Sequence, residues 1–481
     1  MRKLVGRFEH LVPMIAALVM AVLVACTGAH PAYALALPAV LGATTATADI
    51  DALTKIIYSD PLITDIVAES EFMSIFKTDM NIQTEQTTGG KYIETAHYLR
   101  LAGAAGARAE NDYIPVSQTA KAINGRIFLR KIMGVIEMTG DVMDRVVGDE
   151  GAFINYMERA LPDTKERVLN EVDRMYIGFG AGIKARVAAG WAGASPLPVD
   201  RALGVDGYED AWLQFLEGET IVFSATAAGT ALRNAGSTQA ALVENIDETN
   251  NDLTITADAA LLAAITIDDY IFGGDSAGAS SQLAGVDREV QGVLAGVDDG
   301  SILGTYLNVV RASVRQFNAR VVDASVAPYN GVMTEQLLIA ADAATRVAAN
   351  AKIDTLITSP HAPIGYWADM KQDRTLNDLR SAQGGLSNSV GVVLGDRTIP
   401  FKTARKLPPQ IAFGLNRGSW RRLTLNTWTW VQRTGAIWNL VSDATGRKDA
   451  YFAFGKMYEQ LCCLVPRRNI RFEGLARQFD F

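Results

Sequence analysis

Two extended runs that bracket a stretch unable to pack constrain this chain more than any other feature. Residues 91–101 alternate and are rich in aromatics, the period-two pattern of a half-buried strand, and residues 126–139 form a second β-like run. Between them lies Gly103-Ala-Ala-Gly-Ala-Arg108-Ala-Glu110-Asn-Asp-Tyr113-Ile-Pro115. That stretch is too flexible and too polar at its tip to sit inside a core. The expectation is an arm that projects and finds its partner outside its own domain.

The rest of the chain has ordinary globular composition. It has 481 residues, 49% hydrophobic and 20% charged, which excludes a disordered chain and a many-span membrane protein and leads us to expect two or three globular units. The net charge of −8 is the wrong sign for binding nucleic acid by neutralising phosphates. Three cysteines cannot make a disulfide framework, and the four histidines are too scattered for a histidine-based metal centre. No cofactor and no metal are expected.

Residues 1–46 differ from the remainder. Arg2, Lys3 and Arg7 precede an apolar run from Leu11 to Ala25, and Ala32-Tyr33-Ala34 offers a small-x-small cleavage pattern. This is the layout of a secretory signal, and Leu23-Val24-Ala25-Cys26 resembles a lipoprotein box. The apolar run falls short of the roughly twenty residues that span a bilayer. The segment is expected to be a mis-called start or a removable leader.

Helical periodicity marks residues 50–76 and 149–176, the latter with Val168, Val172 and Tyr176 on one stripe and a break at Pro162. Residues 200–285 are rich in Ala, Thr, Asp and Asn and read as a small β-rich insertion. Residues 305–319 and 334–350 read as helices, the second with Thr334 as N-cap and Asn350 at its end. A buried strand at 354–358 and a helix over 362–372 come next, indicating an α/β layer. Residues 381–396 read as a mobile Gly/Ser-rich loop, with further β or mixed elements at 396–401, 411–415, 423–430 and 451–458.

Each motif that carries chemistry has a plainer account. Gly274-Asp-Ser276-Ala-Gly278 matches G-x-S-x-G, with His361 downstream as the base of a serine hydrolase. Residues 279–285 make a poor helix after it, and a hairpin loop explains the motif better. Gly178-x-Gly180-x-Gly182 lies after a helix, so a helix end explains it better than a phosphate loop. Asp247, Asp252, Asp268 and Asp269 lack calcium-loop spacing and read as solvated turn carboxylates. Trp420, Trp428, Trp430 and Trp438, with Arg421, Arg422 and Arg433, read as packing or subunit contact before base stacking.

The order of elements over residues 50–475 resembles the major capsid protein of tailed bacteriophages, the Hong Kong 97-type fold, by pattern and not by one diagnostic motif. Residues 88–115 look like its extended loop (E-loop) and tip. The helix ending at Met175-Tyr176 looks like its spine helix, residues 268–272 and 292–300 like the return from an insertion, and residues 334–360 like its axial domain. The resemblance implies an α+β fold. Its parts are an N-terminal arm (47–81), an E-loop hairpin (82–135), a peripheral domain with spine helix (136–199), the insertion (200–285), the peripheral return (286–332), an axial domain (333–448) and a peripheral C-terminal strand and tail (449–481).

It also implies a structural protein without catalysis. Such subunits form pentamers and hexamers of an icosahedral shell around double-stranded DNA, without sequence-specific binding. Scaffold, portal and decoration proteins are implied partners, and no membrane is involved once any leader is gone. The implied location is the virion, assembled in the host cytoplasm, and the leader-like front departs from this. Arg108, Glu110, Tyr113 and Pro115 at the E-loop tip are the implied inter-subunit contact. The family's covalent cross-linking set is not carried over. Two other classes remain: an exported or lipid-anchored surface protein, and a secreted serine hydrolase using Ser276.

Overall fold

In a computed structural model of the chain, the described residues are 71–76, 80, 84–86, 92–100, 102–108, 110, 113–114, 116–139, 167–168, 170–233, 239–274, 283–285, 288–366, 391–394, 397–432, 439–443 and 446–477. The leader reading of 1–46, most of the helix expected over 50–76, and the 149–166 part of the spine helix lie outside them. The chain divides into two units: residues 62–134, 154–429 and 455–481, and residues 1–61, 135–153 and 430–454.

The first strands are β1 (Thr84–Gln86), β2 (Ile93–Arg100), β3 (Lys121–Ile127) and β4 (Arg130–Thr139). Next come β5 (Ile183–Val187), β6 (Leu197–Asp200), β7 (Thr220–Ser224), β8 (Ala240–Asp247), β9 (Asp252–Thr256), β10 (Tyr270–Gly274) and β11 (Leu283–Ala284). Then come β12 (Thr305–Tyr306), β13 (Val309–Val310), β14 (Arg320–Asp323), β15 (Thr355–Thr358), β16 (Gly391–Leu394), β17 (Arg397–Thr403) and β18 (Ala412–Leu415). The last are β19 (Trp420–Trp430), β20 (Asn439–Asp443), β21 (Gly446–Cys463) and β22 (Ile470–Glu473).

The β-rich segment closes on itself. Strand β10 pairs antiparallel with both β5 and β7, so six strands form a ring in the order β10-β5-β6-β9-β8-β7. The strands at 220–274 alone would leave β9 and β10 with bare edges, and β5 and β6 join them. A closed ring exposes no unpaired strand. Val187, Leu197, Phe223, Val243, Leu253 and Ile271 are fully buried. Three of the four aspartates serve turns and ion pairs, and Asp252 opens β9 opposite Asp247. Asp247 accepts from the Thr249 N–H at 3.0 Å and Asn250 Nδ2 at 2.8 Å, and Asp268 pairs with Arg201. Asp269 departs from the solvated position expected for it: it is buried and held bidentately by Arg233 at 2.6 and 2.7 Å.

A six-stranded mixed sheet runs in the order β14-β22-β18-β15-β17-β16. One helix, Glu335–Ala349, packs on it through Leu337, Leu338 and Ala341, meeting Leu356, Phe401 and Ile470. The expected caps hold: Thr334 Oγ1 accepts from the Leu337 N–H at 3.2 Å, and Asn350 takes the left-handed conformation (φ 48°). The buried face also takes in Asp342, whose carboxylate accepts from the Ile353 N–H at 3.2 Å and from Arg346 Nε at 2.7 Å.

Two expectations are corrected. Residues 305–319 are not a helix. They form the β12–β13 hairpin, turned by Leu307 and Asn308 at φ 49° and 62°, and then two 3-10 turns. The reason is Arg311, whose side chain turns inward to bond backbone carbonyls. Within the expected loop at 381–396, residues 391–394 are strand β16, paired antiparallel with β17, while 381–390 lie outside the described residues.

In the other unit, β20 pairs antiparallel with the first part of β21, Leu440 opposite Tyr451, and Phe452 stacks on Phe454 at 5.9 Å.

Gly414 sits in β18 where an added Cβ would meet Ile470 Cγ2 at 2.6 Å and Ile353 at 3.2 Å. Gly414→Ala therefore overpacks the sheet, and chemical denaturation should show a loss of about 1–3 kcal/mol. A buried charge network lies where helical residues 170–177 meet β5. Arg174 and Lys184 both bind Glu171, the latter at 3.1 Å, and they bind Glu289 and Glu219 respectively. Lys406 Nζ donates to the Asn170 carbonyl at 2.9 Å. Burial drives this ammonium down to about 7, assisted by Lys184 and Arg174 and opposed by Glu171 and Glu219. The unfolded chain keeps that proton up to about 10.5. Unfolding thus takes up a proton between these values, and stability rises with pH across that window. Lys406→Met should flatten that rise and increase the unfolding midpoint at pH 7, measured by thermal melts at several pH values.

Candidate functional site

The hairpin expected from the sequence is present, with a different second strand. Strand β2 pairs antiparallel with β3, from Ile93 opposite Ile127 to Arg100 opposite Lys121. The run at 126–139 breaks at Phe128 and Leu129, and β4 belongs to a separate sheet. The pairing extends past the strands: the Gly103 N–H donates to the Gln118 carbonyl at 2.9 Å, and Arg100 Nε donates to the Thr119 carbonyl at 3.1 Å. These bonds carry the pairing of the arm to Gly103 opposite Gln118.

One face of the hairpin rests on its own chain, which sharpens the expectation of a partner wholly outside the domain. Exposure alternates along β2, with Ile93, Thr95, His97 and Leu99 half-buried and their neighbours exposed. The His97 ring meets Phe317 edge-on at 4.8 Å, Gln316 Nε2 donates to the Leu99 carbonyl at 3.3 Å, and the Arg126 N–H donates to the Leu307 carbonyl at 2.9 Å. Burial against this platform lowers the pKa of His97. On the open side, Glu94 pairs with Arg126 at 3.1 Å, and the Arg126 guanidinium lies 5.0 Å from the Tyr92 ring centre.

The platform is set by buried charge. Arg471 donates to Asp298 Oδ1 at 3.0 Å, and both side chains are 0% exposed. Asp298 also accepts from the Leu303 N–H at 2.9 Å, the Gly300 N–H at 3.0 Å and the Ser301 hydroxyl at 3.0 Å. Arg311 donates to the Phe317 carbonyl at 2.5 Å and to the carbonyls of Ala295 and Asp298, with its guanidinium over Tyr306. Residues 295–317 are thereby held as a rigid seat under the hairpin. None of this set was singled out from sequence. The only available signal was a run of turn-forming residues, Asp298-Asp-Gly300-Ser301.

At the far end, Arg108 and Glu110 are exposed, and Tyr113, Ile114 and Val116 are 90%, 89% and 87% exposed. Pro115 lies outside the described residues. Two aliphatic side chains and a tyrosine almost wholly exposed on one short segment are not a core remnant.

The competing motifs resolve differently. Strand β10 ends at Gly274 and is met by antiparallel β11, Gly274 opposite Leu283, the hairpin arrangement expected over a nucleophile turn. Ser276 itself lies outside the described residues. The Gly178 N–H donates to the Arg174 carbonyl at 2.9 Å, closing the helix there. Trp420 and Trp428 are buried, so neither offers a stacking surface. Trp420 Nε1 donates to Asn469 Oδ1 at 3.1 Å, and Trp428 fills space left by Gly134 and Gly455.

Burial alone would raise the Asp298 carboxyl, but the Leu303 N–H and Arg471 outweigh it and hold its pKa below the ordinary value of 3.8. Its stabilising contribution is complete above that value and is lost as the pH falls through the lowered one. Asp298→Asn removes the fully buried partner of Arg471 and leaves it the part-exposed Glu473 at 2.8 Å, a loss of about 1.5–3 kcal/mol. Denaturant titration should show that loss at pH 7 and a weaker acid dependence than the parent.

No family model and no curated protein matches the chain. Among solved structures it is similar to a cyanophage A-1(L) capsid asymmetric unit, at 9% identity over 82% of this chain and 90% of that one, with a TM-score of 0.41. It is similar to the capsid of Myoviridae phage XM1, at 8% identity over 83% and 92%, with a TM-score of 0.40. It is also similar to the holo-SrpI encapsulin complex of Synechococcus elongatus, at 9% identity over 83% and 87%, with a TM-score of 0.33.

Proposed function

We propose that this chain is a structural subunit that self-assembles into a closed shell, with pentamers and hexamers of an icosahedral capsid enclosing double-stranded DNA. The observation that carries the reading is the hairpin. A seated base, an extended paired stem and a tip with Tyr113, Ile114 and Val116 almost wholly in water leave large apolar side chains for another subunit to cover. Arg108 and Glu110 provide ionic contacts beside them, and Pro115 belongs to the same segment. The glycine- and alanine-rich approach to the tip lets one sequence adapt to non-identical neighbours.

The function is architectural and calls for no catalytic residue, cofactor or metal. A net charge of −8 suits a wall that encloses DNA without gripping it. Scaffold, portal and decoration proteins would act with it, in a virion assembled in the host cytoplasm. The insertion and the helix-bearing sheet correspond on this reading to a β-rich insertion and an axial domain, and helical residues 170–177 to the end of a spine helix.

Replacing residues 103–118 by a two-residue Asn-Gly turn should leave the unfolding midpoint unchanged, because the described residues of that segment are all exposed, and should abolish assembly. Negative-stain microscopy and light scattering of the parent should show rings or shells. A parent chain that is folded yet monomeric at high concentration, across salt and with scaffold supplied, would sink the proposal.

A further inference from the structure

We infer that four arginines on adjoining turns and strands, Arg315, Arg320, Arg467 and Arg468, form a surface that meets the phosphate backbone of the enclosed double-stranded DNA. The inference rests on the shell reading. The net charge of −8 conceals a division along the chain. Residues 200–285 hold 14 acidic and 2 basic residues, whereas residues 401–481 hold 5 acidic and 14 basic. Charge separated in this way allows a local contact with a polyanion that the net value disguises.

The fold brings the four together. Arg315 opens the 3-10 turn Arg315–Phe317, which lies against the 3-10 turn Pro466–Arg468. Arg320 begins β14, and its N–H donates to the Asn469 carbonyl at 3.3 Å, beside Arg468. Arg315 and Arg320 are exposed, and Arg467 and Arg468 are half-buried. Among the described residues, none of the four side chains has an ion pair or a hydrogen bond. Nearby carboxylates are committed elsewhere: Asp298 and Glu473 bind Arg471 at 3.0 and 2.8 Å, and Asp342 binds Arg346 at 2.7 Å. Arg311, bonded to the Phe317 carbonyl, and the buried Arg471 hold both turns in place, so the surface is preformed. Guanidinium groups gathered without a counter-charge repel one another and favour an anion from outside. Regularly spaced phosphates answer them in any register, whereas a protein would have to offer four carboxylates in one arrangement. Such a contact reads no base sequence, and four charges per subunit steady the DNA against the wall without tight binding.

The test titrates the purified full-length chain, kept below the concentration at which it assembles, against a short double-stranded DNA fragment of arbitrary sequence, read by fluorescence anisotropy across salt. Arg315→Gln, Arg320→Gln, Arg467→Gln and Arg468→Gln together should weaken binding about a hundred-fold and make log Kd against log salt shallower by about 3. The exposed pair alone, Arg315→Gln with Arg320→Gln, should give about half of that change in slope, without touching the half-buried pair. Lysine at all four positions keeps the charge and should keep most of the parent's slope. A second fragment of unrelated sequence should bind the parent equally well. Glutamine variants that keep the parent's unfolding midpoint, affinity and salt slope overturn the inference. A parent that binds polyglutamate and not DNA also overturns it, and gives the surface to an acidic protein. Either result leaves the shell reading standing, since that reading fails on a different observation, a folded parent that never assembles.

Discussion

Asp298 and Arg471 lie 3.0 Å apart with neither side chain in contact with water. Two charges so placed need their remaining lone pairs and protons answered, and the neighbouring backbone answers most of them, the Nε groups of Arg471 and Arg311 excepted. Asp298 gathers the N–H groups of Gly300 and Leu303, while Arg311 draws in the carbonyls of Ala295, Asp298 and Phe317. A segment with little regular structure becomes rigid because it solvates a buried ion pair. That segment presents Leu307, Gln316 and Phe317 to the hairpin. The charge cluster thus fixes the surface on which the base of the hairpin rests.

The two larger sheet systems manage their edges in different ways. The ring at 183–274 closes through the double pairing of β10, so none of its six strands needs a cover. The six-stranded sheet instead takes the Glu335–Ala349 helix on one face and brings β14 and β22 into parallel register from distant parts of the chain. Strand β22 also carries Arg471, so the sheet and the platform are joined through one residue.

Much of this was legible where local pattern and tertiary outcome agree. Thr334 and Asn350 bound their helix because capping is decided within a few residues. The exposed approach to the tip was legible because the glycines and alanines of residues 103–107 supply nothing to bury. Reading failed where a distant contact overrode the local signal. Residues 305–319 have a sequence that tolerates a helix, but Arg311 is claimed by carbonyls on both sides of it, which forces turns. The second strand of the hairpin was displaced for a related reason. Residues 121–125 are weakly apolar, and pairing with β2, not their own pattern, makes them a strand.

By itself the sequence determined that a long arm leaves this chain, since the approach to its tip, Gly103 to Ala107, has no large side chain to bury. It also determined the helix caps and the β-rich character of the middle third. Only the tertiary structure decided which strand completes the arm, that strands at 183–187 and 197–200 close the ring, and that Asp298, Arg311 and Arg471 meet. Those three residues are up to 173 positions apart, and the value of a buried charge depends wholly on what surrounds it, which no local pattern records.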